Sequence, residues 1–272
     1  MQPLRFGEIA VQPALDGYLL LNLANVFPGV PQEAWRAYTS GIENGKLRCA
    51  LTTFIVQTHG RIVLIDTGLG PHLTRFEGEC GKLPMALANA GVAPENVDVV
   101  VSTHLHFDHV GWNCTEVDGG WLPTFPNARY VVNRREWARW IDVEAGYVAR
   151  QLRPIDAAGQ LELVDDGYEP APGMRLLGTP GHTPGHVSVL VYDGGDGGVI
   201  TGDAAHHPAE LEHPDWIPAV DEDSGLASKS RLELADRIEA EGLTVLGGHF
   251  PEPHCGRIVR VQQRRTYVPL GA

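Results

Sequence analysis

Cysteine is scarce in this 272-residue chain: Cys49, Cys80, Cys114 and Cys255 lie far apart, with no CxxC pair. That argues against a thiolate metal site and a small disulfide scaffold. Long apolar runs are also missing. The best candidate, "GYLLLNLANVF", is short and broken by Asn22 and Asn25, too little for a membrane span. The opening "MQPLRFGEIAVQPALDG" has neither the basic start nor the apolar stretch of a signal peptide, so a cytoplasmic location is expected. Positive charge is in deficit. Lys and Arg number 21 against 34 Asp and Glu, a net charge of -13 that repels phosphate backbones and anionic membranes. Neither nucleic acid nor a membrane is an expected partner. No serine nucleophile elbow, phosphate-binding glycine loop or dinucleotide fingerprint is present. "GGDGG" at 194 to 198 precedes a strand and reads as a hairpin turn. Without repeats, low-complexity tracts or a linker, residues 1-272 read as one domain, long enough to bury a sizeable core.

What is present is an alternation of strands and helices. "LTTFIVQT" (51 to 58) and "RIVLIDTG" (61 to 68) are β-rich runs joined by "HG", a hairpin signal. "KLPMALANAG" predicts a helix stopped by Gly91, and "NVDVVVST" (96 to 103) a buried strand. "ARYVVN" predicts a strand, and "RREWARWIDVEAGYVARQL" one helix with Trp137, Trp140 and Ile141 on its packed face. "MRLLGT", "HVSVLVYD", "GVITGD" and "LTVLGGHF" predict four more strands. Between the last two, "DSGLASKSRLELADRIEAEG" predicts a helix capped by Asp223 or Ser224, packed through Leu232, Ala235 and Ile238, and ended by Gly242. Strands interleaved with helices imply a layered α/β architecture.

"STHLHFDHVGWN" (102 to 113) is the chemical anomaly: His104, His106, Asp108 and His109 fall within six positions, directly after a strand. A backbone cannot wrap one ion with four ligands from so short a run. His104 with His106 facing one ion, and Asp108 with His109 facing another, is the better geometry. Asp66, His182, Asp203 and His249 each follow a short apolar strand at a glycine-bearing turn, where loops converge on one point. Imidazole and carboxylate donors without thiolate suit zinc, or manganese, iron or cobalt. His59, His72, His213 and His254 stand alone and read as surface residues.

"THLHFDHVG", "LIDTG", "GTPGHTPGH", "TGDAAHH" and "GGHF" together resemble the metallo-β-lactamase superfamily over roughly residues 50 to 260. The resemblance implies an αββα sandwich, two facing mixed sheets flanked by helices. It implies two divalent ions. His104, His106 and His182 would bind the first, Asp108, His109 and His249 the second, and Asp203 would bridge them. Asp66 would support the ligand loop, and His186 would be structural. Such a centre hydrolyses substrates with a bridging hydroxide, and Asp108 is the carboxylate to pass a proton to the leaving group. The downstream run resembles the branch holding N-acyl-homoserine lactonases and methyl-parathion-type hydrolases. There, a segment matching residues 1-48 forms an N-terminal extension that covers the site or makes a homodimer.

Many lactonases of that branch carry a tyrosine three residues after the bridging aspartate. Here it is His206, which can donate a hydrogen bond as a catalytic group; the plain alternative for His206 and His207 is an exposed turn. Phe107, Trp112 and Trp216 could wall an apolar pocket. The expected function is a lactonase acting on a small lactone or ester. The alternatives are an organophosphate or aryl-ester hydrolase, a single-iron thiol or persulfide dioxygenase, and a non-catalytic metal-binding protein.

Overall fold

Val99 and Val101 point to one side of their strand and Val100 to the other, and all three are buried. That pattern, apolar on both faces, belongs to a strand covered on both sides. It recurs in Val63, Leu64 and Ile65, and in Val189, Leu190 and Val191. The computed structural model describes residues 2–73 and 76–271. A nine-stranded sheet runs through Leu4–Phe6, Ile9–Asn22, Lys46–Thr58, Arg61–Ile65, Val99–Val101, Arg129–Asn133 and Leu161–Val164, with two short strands beside this path. A six-stranded sheet follows chain order: Met174–Gly178, Val187–Asp193, Asp196–Ile200, Thr244–Leu246, Cys255–Val261 and Arg264–Pro269.

The inner faces of the two sheets meet in one core. Phe54, Val56, Ile65 and Val101 from the first pack with Met174, Val189, Ile200 and Leu246 from the second. Outside the first sheet, Leu64, Val100 and Tyr130 cover Leu83 and Leu87 of the helix Leu83–Asn89 and Ile155 of the helix Arg153–Ala157. Outside the second, Leu190, Val199 and Val245 cover Leu234, Ala235 and Ile238 of the helix Ser224–Glu241. The order of layers is helix, sheet, sheet, helix, as the resemblance implies. Among the described residues, no helix is long and apolar enough to cross a membrane.

The "HG" hairpin forms with Thr58 paired to Arg61 and both His59 and Gly60 at positive φ, which matches the twist of the flanking strands. Gly194 and Gly195 make the equivalent turn in "GGDGG". Three expectations need correction. The helix at 134 to 152 ends at Trp140; after a break over residues 141 to 145, Val148–Leu152 winds as a wider helix and Arg153–Ala157 follows. The helix Ser224–Glu241 does start at the Asp223 cap and stop at left-handed Gly242, yet Leu232 is 45% exposed. Its core face is Ala227, Arg231, Leu234, Ala235 and Ile238, so an arginine fills a slot where an apolar residue was sought. His254 is buried, its Nδ1 on the Phe250 carbonyl at 2.8 Å, and His213 is half-buried; only His59 and His72 of that group are exposed.

Residues before position 48 are woven into the first sheet. Ile9–Asn22 pairs with Lys46–Thr58 along its whole length, interrupted by a bulge between Leu15 and Gly17. That bulge aims Asp16 inward. Its carboxylate, fully buried, accepts from the backbone N–H groups of Leu69, Gly70 and Leu83 and from the Trp112 indole at 2.8–3.1 Å. One side chain thus fixes the loop after Asp66 and the start of a helix.

Candidate metal centre

Asp66, the 104 to 109 run, Asp203 and His249 all follow strands that end at one edge of the sandwich, and His182 reaches the same edge from the turn after Met174–Gly178. The seven residues expected as ligands come together there. One donor atom each from His104, His106, His182 and Asp203 lies within 4.8 Å of the others, and the same holds for Asp108, His109 and His249. Asp203 stands between the sets. Its Oδ2 is 3.3 Å from His182 Nε2 and 3.8 Å from His104 Nε2, while its Oδ1 is 3.2 Å from His109 Nε2 and 3.3 Å from His249 Nε2. Asp108 Oδ2 lies 3.7 Å from His249 Nε2.

The outward nitrogens explain why the inward ones are free. His109 Nδ1 donates to Asp66 Oδ2 at 2.8 Å, and His249 Nδ1 to the Ala50 carbonyl at 2.6 Å. His182 Nδ1 lies 3.1 Å from Asp221 Oδ1, and His104 Nδ1 3.1 Å from Thr103 Oγ1. A proton held on the outer nitrogen leaves a lone pair on the inner one, the arrangement a metal ligand needs. Inward nitrogens also face one another at hydrogen-bond range: His106 Nδ1 to His104 Nε2 at 3.0 Å and to His182 Nε2 at 2.9 Å, and His109 Nε2 to His249 Nε2 at 3.2 Å. Among the described residues, Asp203 Oδ1 is buried with no hydrogen-bond donor. Converging lone pairs and an orphan carboxylate oxygen would be costly without a cation between them. The residues fit divalent metal ions.

Burial holds His104 and His182 well below the ordinary imidazole range, so both stay neutral, each with one ring proton. At His109 burial acts the same way but the carboxylates of Asp203, Asp66 and Asp108 outweigh it. His186 is structural here. Burial holds it down to about 3; its Nδ1–H bonds the Thr179 carbonyl, and its Nε2 accepts the backbone N–H of Asp203 at 2.9 Å. Gly202 must be glycine for this: φ is +53°, and a Cβ would sit 2.7 Å from His186 Nε2. Asp66 Oδ1 takes the Thr103 N–H at 2.7 Å and Oδ2 the Thr103 hydroxyl at 2.8 Å, tying down the start of the histidine loop.

His206 is buried, not an exposed turn. Its Nε2 is 3.3 Å from Asp203 Oδ2, and its ring lies parallel to that of His249 at 5.8 Å. His207 turns away, to the Ser40 carbonyl and the rings of Trp35 and Tyr38. Leu19, Leu21, Val26, Phe76, Phe107 and Val220 wall a cavity of about 290 Å³ over the donors, and Cys49 also lines it. Phe107 is in this wall, stacked on Phe76 at 5.6 Å. Trp112 and Trp216 are not: Trp112 serves Asp16, and Trp216 packs on Trp35.

The sequence reading missed Glu136. Buried in the broken helix, it accepts from Leu105 N–H at 3.0 Å, the Trp140 indole at 2.7 Å and Gly185 N–H at 3.0 Å. It therefore clamps the histidine loop to the "GHTPGH" loop. Burial pushes its carboxyl up.

The match to the metallo-beta-lactamase superfamily covers residues 48–249. The chain belongs to that superfamily. Membership brings divalent metal ions to the His/Asp cluster and makes the protein a metal-dependent hydrolase. Among superfamily relatives, an N-acyl homoserine lactonase from Bacillus sp. is 29% identical over 220 residues, 75% of this chain and 82% of its own. Two solved structures share the fold. A hydrolase called AbOPH has TM-score 0.87 at 24% identity, covering 100% of this chain and 97% of its own. The dizinc quorum-quenching lactonase AidC, solved with N-hexnoyl-L-homoserine, has TM-score 0.84 at 21% identity and the same coverage.

Proposed function

We propose that the protein is a dinuclear metal-dependent lactonase acting on lactones with an apolar acyl chain. The observation that carries this reading is Asp203, whose two carboxylate oxygens face two separate sets of donors beneath an apolar cavity. His104, His106 and His182 would hold one ion, Asp108, His109 and His249 the other, and Asp203 both. When bound, two such ions, zinc first for this donor set, supply hydroxide at neutral pH and polarise the carbonyl under attack.

The protein's own groups do the rest. Phe107, Phe76, Leu19, Leu21 and Val26 take the acyl chain out of water, which fixes the carbonyl over the donors. His206, with Nε2 turned toward the centre, orients the carbonyl oxygen. Asp108 lines the cavity and relays the proton of the added hydroxyl group to the ring oxygen as the carbon–oxygen bond breaks. The N-acyl homoserine lactonase relative supports the lactone assignment. A second reading, aryl-ester hydrolysis, draws on the parallel Phe76–Phe107 pair, an aromatic wall that a flat ring can join. The full second donor set speaks against a single-iron dioxygenase.

The test is a hydrolysis panel of N-acyl homoserine lactones, simple lactones, aryl esters and phosphotriesters, run on protein of measured metal content. Lactone turnover that disappears on chelation and returns with zinc is expected. Full turnover by the stripped protein would overturn the reading.

A further inference from the structure

Arg231 is a fully buried guanidinium on the core face of the helix Ser224–Glu241, and nothing in hydrolysis as described uses it. A residue there for packing alone needs no charge, because an apolar side chain fills such a slot without desolvating a cation. The charge requires a reason. Its Nε donates to the Ala204 carbonyl at 2.7 Å and its Nη1 to those of Pro214 and Trp216 at 3.3 and 3.2 Å. Its Nη2 lies between two carboxylates, 3.1 Å from Asp221 Oδ2 and 3.3 Å from Glu210 Oε2, and all three side chains are out of water.

Each carboxylate leads to a different histidine of the centre. Asp221 turns its other oxygen, Oδ1, to His182 Nδ1 at 3.1 Å. Glu210 Oε2 lies 3.5 Å from His206 Nδ1, and its Oε1 accepts the backbone N–H groups of His206 and His207 at 2.6 and 2.8 Å. The chain of contacts His182–Asp221–Arg231–Glu210–His206 therefore passes behind the centre through one guanidinium. Two carboxylates and one guanidinium leave one negative charge unbalanced, directed at a site that takes cations.

Resting on the metal-dependent reading above, we infer that Arg231 is a positioning residue that sets two ring orientations at once. Through Asp221 it aims His182 at the first ion, and through Glu210 it aims His206 at the substrate carbonyl. The two arms separate in experiment. Loss of the Asp221 arm weakens metal binding; loss of the Glu210 arm slows turnover of metal-saturated enzyme.

The experiment compares wild type, Asp221→Asn, Glu210→Gln and Arg231→Lys, all full-length and checked by thermal melting. Cobalt affinity by chelator competition and the visible spectrum of the cobalt-loaded protein are read together with lactone hydrolysis. Asp221→Asn and Arg231→Lys are expected to lose about 10- to 100-fold in affinity at one of the two sites, with a shifted spectrum. Glu210→Gln is expected to hold cobalt within about threefold of wild type while kcat at saturating metal falls about tenfold. If Arg231→Lys does not fold, the two carboxylate variants decide the matter.

Wild-type cobalt affinity and spectrum in folded Asp221→Asn would overturn the inference. So would equal cobalt loss in Glu210→Gln and Asp221→Asn. A wild-type protein that binds no cobalt overturns the metal reading itself, so the two failures are told apart by the wild-type arm. Cobalt binding that follows the expected pattern without lactone turnover would overturn the lactonase reading and the His206 arm, and leave the His182 arm standing.

Discussion

Asp66 Oδ2 accepts the Nδ1–H of His109 at 2.8 Å, although the two are 43 positions apart in sequence. The same carboxylate takes the Thr103 N–H and hydroxyl, so it fixes both ends of the histidine run. Asp66 itself has φ +60°, a conformation that Asn tolerates well. Asp66→Asn keeps the backbone but removes the charge that polarises His109. Its metal affinity is expected to fall about 10- to 100-fold by chelator competition, with activity recovered at excess zinc.

Asp16 predicts a different kind of loss. It touches none of the donors, but four hydrogen bonds converge on its buried carboxylate. Asp16→Ala strands those donors, and the expected cost is about 3–5 kcal/mol by denaturant unfolding. Metal content measured well below the melting temperature should change far less than stability.

Glu136 gives a pH signature. Burial raises its carboxyl above the ordinary 4.5, so the folded state holds this proton more tightly than the unfolded chain. Its contribution to stability is complete below pH 4.5 and is lost as pH rises from there through the raised value. Glu136→Gln lacks that titration. Unfolding free energies of wild type and variant are expected to move relative to each other over this window, with wild type losing ground as pH rises. The variant also turns an amide donor toward Gly185 N–H or Leu105 N–H, at a cost of about 2 kcal/mol.

Phe107 tests the cavity. Removing its ring takes away one side of the stack with Phe76 and part of the wall over the donors. Phe107→Ala is expected to lower kcat/KM for a long-chain lactone about 10- to 100-fold, matching ~1.5–3 kcal/mol of lost burial. A short-chain lactone should lose much less, and steady-state kinetics on a chain-length series reads the difference.

Much of this site was legible in the sequence because its donors are carried on short apolar strands. "DVVVSTHLHFDH" states both the strand and the cluster that it delivers. The supporting groups were not legible. Asp16, Glu136 and Asp221 are single acids in unremarkable contexts, and each has a partner far along the chain: 31 positions for Leu105–Glu136, 39 for His182–Asp221 and 96 for Asp16–Trp112. Only the topology joins them. Arg231 was hidden because apolar periodicity selects Leu232, one residue and about 100° around the helix. The strand Ile9–Asn22 was hidden by Pro13 and Gly17, which argue against a strand until the bulge beside Gly17 is seen. The lone-residue logic misplaced His254, which is buried with its Nδ1 on the Phe250 carbonyl.

The account centres on Asp203 facing two donor sets at once. The most direct measurement is metal content and lactone hydrolysis in one preparation, titrated from fully stripped protein with zinc. The account expects activity to rise to a plateau at about two equivalents per chain, and Asp203→Asn to lose both the stoichiometry and the turnover. A plateau at one equivalent, or turnover that needs no metal, would contradict it.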